Sequence, residues 1–130
     1  MYENLKDINI LYVEDDEFIR EQTATLLSVV FNKIHTAIDG QDGINKFNSL
    51  NDEIHVIVTD INMPKISGID MSKSIKSNLE RNIPIIAISA YSEEDHVMED
   101  IADLFTFYLR KPTQIKDLIK SIQNAFELTN

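Results

Sequence analysis

Two rhythms of apolar residues alternate along the chain. Short continuous runs rich in β-branched residues occur at 8–13 (INILYV), 54–59 (IHVIVT) and 83–88 (IPIIAI). Runs of that length and content predict strands buried on both faces. Weaker runs at 33–38 and 105–109 predict two more strands. Between them apolar residues recur every three or four positions, the period of an amphipathic helix. Residues 17–31 carry Ile19, Leu26, Leu27 and Val30, with Thr23 on the same face. After a turn signal at Asp39-Gly40, Ile44, Phe47 and Leu50 mark a second helix, and 68–80 carry Met71, Ile75 and Leu79. Ser92 is placed to cap a fourth helix with Val97, Ile101 and Leu104 on one face and acids in its first turn. The last stretch, 114–127, has the cleanest stripe: Ile115, Leu118, Ile119, Ile122 and Phe126.

Strand and helix thus alternate five times, which predicts a doubly wound α/β domain: a five-stranded parallel sheet with helices on both faces. At 130 residues the chain reads as one domain, 1–130, with its core at about 8–126. Composition narrows the function. There is no cysteine, which excludes disulfides, thiolate metal sites and cysteine nucleophiles. The net charge of −10 disfavours nucleic acid and anionic membrane as direct partners. No apolar run is long enough to span a membrane and the start is no signal peptide, so the expected location is cytoplasmic.

In folds of this class chemistry collects at the carboxyl ends of the strands. The first strand runs into Glu14-Asp15-Asp16, the third into Asp60, the fourth ends at Ser89 and the fifth at Lys111-Pro112. Singly, each is an ordinary surface residue. Together on one sheet edge they form a candidate site. Glu14, Asp15 and Asp60 would repel one another in a shared cleft unless a cation joined them. Magnesium suits such a site, because it takes oxygen ligands, needs one or two carboxylates and keeps several waters. Three acids, a divalent cation and the Lys111 ammonium sum to zero charge. With the Ser89 hydroxyl, that set can hold a phosphoryl group by three kinds of contact. The chain has neither GxxxxGK[ST] nor GxGxxG, so a bound nucleotide donor is not expected and the acceptor is a carboxylate.

The segments ILYVEDDE, VIVTDINMPKISGID, PIIAISAY and FYLRKP, in this order and spacing, resemble the receiver domain of two-component response regulators, the CheY-like family. The resemblance covers the chain from Ile8 to about Phe126. It implies the flavodoxin-like strand order 2-1-3-4-5. It also implies that Asp60 is the phosphoacceptor, that Ser89 and Lys111 contact the phosphoryl group, and that Asp15, Asp60 and the Asn62 backbone carbonyl bind Mg2+, with Mn2+ or Ca2+ as substitutes. Glu14 takes the place of the second acid, reaching the metal through water. Ser89 and Tyr108 are the switch pair, and Lys111-Pro112 matches a cis peptide. Met63-Pro64 and Gly68 match the loop after the acceptor. The partners implied are a sensor histidine kinase or phosphotransfer protein, a downstream target or an output domain outside this sequence, and a phosphorylation-dependent dimer. The surface expected to change is that of the fourth predicted helix, the fifth strand and the last helix. The chain would promote only its own phosphorylation and dephosphorylation, and so is not an enzyme in the usual sense. The start at Met1 is consistent with a receiver that opens its parent protein.

Some positions depart from the family pattern. Glu14 replaces the commoner Asp, Ser89 replaces the commoner Thr, residues 102–107 lack a glycine, and the bulky Tyr91 follows Ser89 by two. Asp16 reads as the cap of the first helix. His35, His55 and His96 are too scattered for a metal site, and Arg110 reads as solvated. The acids at 93–95 and 99–100 belong to a helix's polar face and first turn. Two other functions are weaker readings: a binding module of the same fold that accepts no phosphate, and a flavin carrier.

Overall fold

The continuous apolar runs become strands because a sheet covered by helices on both sides leaves neither face of a central strand in water. A computed structural model of the chain describes residues 2–77, 82–89 and 104–129. Its strands are β1 (Ile10–Val13), β2 (Ile34–Ala37), β3 (Val56–Asp60), β4 (Ile85–Ser89) and β5 (Phe107–Arg110). They form one parallel sheet in the order β2-β1-β3-β4-β5. Every residue of β1, β3 and β4 is buried, whereas the edge strands β2 and β5 are mostly half-exposed.

Four α-helices lie among the described residues: α1 (Glu17–Val30), α2 (Gly40–Leu50), α3 (Gly68–Ser77) and α4 (Ile115–Thr129). Alternation along the strands divides the core in two. Leu11, Val13, Ile57, Ile85 and Ala87 pack with Phe47 of α2 and Met71 and Ile75 of α3. Ile10, Tyr12, Val56, Val58, Ile86 and Ile88 pack on the other face with Leu27 of α1 and Leu118 and Ile122 of α4. The predicted fourth helix with its Ser92 cap, and Leu79, Tyr91, His96 and the acids at 93–95 and 99–100, lie outside the described residues.

Two expectations change. The predicted apolar face of α1 is only partly buried. Leu27 is fully covered, but Ile19 is 41% and Leu26 50% exposed. These two line a groove of about 690 Å³ between α1 and α4 that Glu14 and Lys111 also border. Leu27 is the one fully buried residue of this 14-residue helix. The Asp39-Gly40 turn is in fact a helix start: Asp39 caps α2 by accepting from the Asp42 amide at 2.8 Å.

At the opposite end of the sheet Asn9 ties three segments together. Its amide nitrogen donates to the Glu53 carbonyl at 2.9 Å, and its oxygen accepts from the Asn32 side chain at 2.9 Å and the Lys33 amide at 3.2 Å. Its own amide donates to His55 Nδ1 at 2.9 Å. Asn9 is buried and these bonds are partly so, and losing the side-chain ones leaves polar groups poorly hydrated. Asn9→Ala should lower the unfolding free energy by about 2–3 kcal/mol, read by urea denaturation. Ser72 is the opposite case. It is fully buried on α3, and its hydroxyl has no hydrogen-bond partner among the described residues. Ser72→Ala removes an unpaired hydroxyl and improves helix propensity, so it should raise stability by about 0.5–1.5 kcal/mol in the same assay.

Candidate functional site

Glu14 is the first residue beyond β1, and its amide still pairs with the Ala37 carbonyl at 3.1 Å, which keeps the chain extended as it leaves the sheet. The chain then turns into α1. Asp16 caps that helix with extended backbone (φ −78°, ψ 116°) and accepts from the Ile19 amide at 2.9 Å, as its sequence position predicts. The same turn aims the Asp16 amide at Glu14 Oε2, 3.1 Å away. Arg20 Nη1 donates to the Glu14 carbonyl at 2.9 Å, bracing the turn from one helical turn on.

Asp60 ends β3, and Gly68 permits its position. A Cβ at Gly68 would collide with the Asp60 carbonyl oxygen, so α3 can start this close only because residue 68 has none. The Gly68 amide closes the intervening loop by donating to the Ile61 carbonyl at 2.8 Å. Ser89 ends β4 and is fully buried. Lys111 follows β5, and its amide extends the ladder to the Ser89 carbonyl at 2.7 Å. The Lys111-Pro112 peptide is cis, as the family motif implied.

The topology therefore brings together Glu14, Asp15, Asp60 and Lys111. One carboxylate oxygen from each of Glu14, Asp15 and Asp60 lies within 4.8 Å of the others. Glu14 and Asp60 are 3% and 6% exposed, and Asp15 faces solvent. Lys111 Nζ donates to Asp60 Oδ2 at 2.8 Å and lies 3.6 Å from Glu14 Oε1. The donor set is all oxygen, clustered and net negative, which fits a hard divalent cation. Asn62 sits two residues past Asp60 on the exposed part of the loop. Tyr108 packs against the α2/α3-side core, and its hydroxyl is buried with no partner among the described residues.

The electrostatics follow the crowding. Burial, with Asp60's charge adding to it, pushes the Glu14 carboxyl up from 4.5 to about 7 against the opposing Asp16 amide and Lys111. Burial would lower Lys111, but its hydrogen bond to Asp60 and the charges of Asp60 and Glu14 outweigh that and hold the ammonium above the usual lysine range. Burial, reinforced by the charges of Glu14 and Asp60, raises the Tyr12 phenol despite its hydrogen bond to Thr23. Tyr12 and Arg20 have no role in the sequence reading. The signal was available for Tyr12, since a residue two before Glu14 shares its side of β1.

A family model described as the response regulator receiver domain matches residues 10–123. Response regulator RR06 of Streptococcus pneumoniae is 35% identical over 117 residues, which cover 89% of this chain and 52% of that protein. The chain thus spans about half the length of that relative. Chemotaxis protein CheY of Treponema pallidum is 28% identical over 119 residues, covering 91% of this chain and 82% of that one. A receiver-domain crystal structure from Clostridium thermocellum superposes with a TM-score of 0.85 at 29% identity, covering 93% and 95% of the two chains.

Glu14 gives a prediction with a definite sign. Its folded pKa lies above its ordinary value, so the folded state holds the proton more tightly than the unfolded chain does. Stability from this group is complete below pH 4.5 and is lost as pH rises through about 7. In chelator-treated protein, Glu14→Gln should match wild type below that window and be more stable above it. Thermal melts of both proteins across pH 4 to 8 check this; a gap that stays constant with pH would refute it.

Proposed function

We infer the function from one premise: this chain belongs to the response regulator receiver domain family. As a receiver domain of two-component response regulators it is a signalling domain. Our reading goes further: the 1–130 chain is a single cytoplasmic receiver domain in which Asp60 accepts a phosphoryl group from the phosphohistidine of a sensor histidine kinase or phosphotransfer protein. The carrying observation is the joint placement of the three carboxylates within 4.8 Å and of Lys111 at 2.8 Å from Asp60.

In that step an Asp60 oxygen forms a bond to phosphorus as the donor's N–P bond breaks, and the donor imidazole keeps the electron pair and takes up a proton. Asp15, Asp60 and the Asn62 carbonyl would hold Mg2+, with Glu14 contacting it through water. Bound there, the cation would supply charge neutralisation for the incoming phosphoryl oxygens. Lys111 is already fixed against Asp60 and has only to shift its hydrogen bond to a phosphoryl oxygen. Ser89, at the end of the neighbouring strand, donates to another. The groove side chains Ile19 and Leu26 offer a donor protein apolar surface beside the site.

The output follows from Ser89 and Tyr108. Tyr108 stands inward with its hydroxyl unpaired among the described residues. An unpaired buried hydroxyl costs roughly 1–3 kcal/mol, which works against the inward ring and leaves its orientation open to bias. One new charged group at Asp60, drawing Ser89 toward it, would supply that bias. The face of β5 and α4, with the segment before β5, would carry that change to an output partner or domain or into a dimer.

Incubating the protein with acetyl phosphate and Mg2+ should add one phosphate-sized mass in intact mass spectrometry. The gain should vanish in Asp60→Asn and fall when Mg2+ is chelated. A persistent absence of the adduct in wild type across donor concentrations would sink this function and favour a module that accepts no phosphate.

A further inference from the structure

The loop after Asp60 contains a strained turn. The Ile66 amide donates to the Pro64 carbonyl at 2.9 Å, closing a three-residue turn around Lys65. Lys65 has φ 68°, the one positive φ at a non-glycine residue among those described. A three-residue turn of this hand is rare and strained, and a lysine in it bears a steric cost that glycine would not. Such conformations persist where surrounding contacts over-determine them.

Those contacts come largely from the start of α2. The Ile66 carbonyl lies against the Gly40 α-carbon, where a Cβ would collide with it. Lys65 Nζ lies 3.6 Å from Asp39 Oδ2; the Asp39 side chain is 9% exposed and the Lys65 side chain 72%. The two Asp39 oxygens divide their work. Oδ1 caps α2 at the Asp42 amide, and Oδ2 faces Lys65. The carboxylate is held in place by its cap and largely covered, while the ammonium reaches it from solvent, so the pair is a modest one whose anchor is the fixed Asp39. Met63 and Ile66 tie the loop to the core beneath. The Lys65–Asp39 pair ties down its outer side.

We propose that Lys65 is a positioning residue for the divalent-cation site. Its ion pair with Asp39 straps the loop between β3 and α3 to the N-terminus of α2. That strap sets the backbone at Asn62, three residues earlier, where its carbonyl would join the Glu14, Asp15 and Asp60 carboxylates. The inference rests on the metal role given above for Asn62. It makes the entry to α2, which contributes no ligand of its own, part of what determines cation affinity.

The alternative is that Lys65 is an unrelated surface charge, and the two differ in sign. Lys65→Gln removes a positive charge near an acidic site, so electrostatics alone predicts tighter Mg2+ binding. The strap predicts weaker binding, because the turn loses its tether. Isothermal titration of the metal-free full chain with MgCl2 separates them. Lys65→Gln should weaken Mg2+ binding by about two- to threefold, the scale of one largely exposed ion pair, and Lys65→Arg should restore it. Asp39→Asn preserves the helix cap, and combined with Lys65→Gln it should cost less than the two single losses added together. Equal or tighter binding by Lys65→Gln, or strict additivity in the double variant, would overturn the proposal. A wild-type chain that takes up no Mg2+ would overturn the metal reading beneath it instead.

Discussion

The Lys111 ammonium hydrogen-bonds Asp60 across 51 residues of sequence, at 2.8 Å, and much of the site depends on that contact. Glu14, Asp15 and Asp60 converge where the chain leaves β1 and β3, and like charges so close oppose the fold that gathers them. Lys111 answers part of that repulsion by reaching both Asp60 and Glu14. The remainder shows in Glu14, whose carboxyl is pushed toward neutrality because it is buried beside Asp60. A site left partly uncompensated in this way is set to gain from a divalent cation.

The scaffold makes the contact possible through register. β4 lies between β3 and β5, so Asp60 at the end of β3 and Lys111 just past β5 are separated by one strand. The ladder carries on one residue past β5, from the Lys111 amide to the Ser89 carbonyl, and fixes where the lysine begins. On the acceptor side Gly68 lets α3 start against the Asp60 carbonyl. The same economy of space recurs at Gly40, where the acceptor loop presses on the start of α2. Glycines at these two points let backbone replace side chain, so the loop is held by packing at both ends.

The two faces of the sheet are covered unequally. On the α2/α3 side Phe47, Met71 and Ile75 close over the strands. On the other side Leu27 anchors α1, while Ile19 and Leu26 remain open along the groove that reaches Glu14 and Lys111. Leaving apolar surface exposed beside charged site residues forgoes burial energy on that side of the sheet.

Sequence alone determined a good deal. The alternation of continuous and periodic apolar stretches specified the number and order of the described strands, because burial on two faces and burial on one leave different spacings. Acids, hydroxyl and lysine at strand ends were visible because parallel strands place all those ends on one edge. Asp16 was legible as a cap because capping is local chemistry. What the sequence could not carry was anything set by distance across the fold. Residues 65 and 39, or 9 and 53, are neighbours only once helices and strands have packed. Helical period placed Ile19 and Leu26 with Leu27, but period records which side a residue shares and not how far the opposing helix stands away. Sequence places Glu14 among three mutually repelling acids, but that Glu14 carries the raised pKa comes from its burial beside Asp60. That is an electrostatic fact of the assembled edge, since desolvation and through-space charge do not exist until tertiary structure brings the groups together.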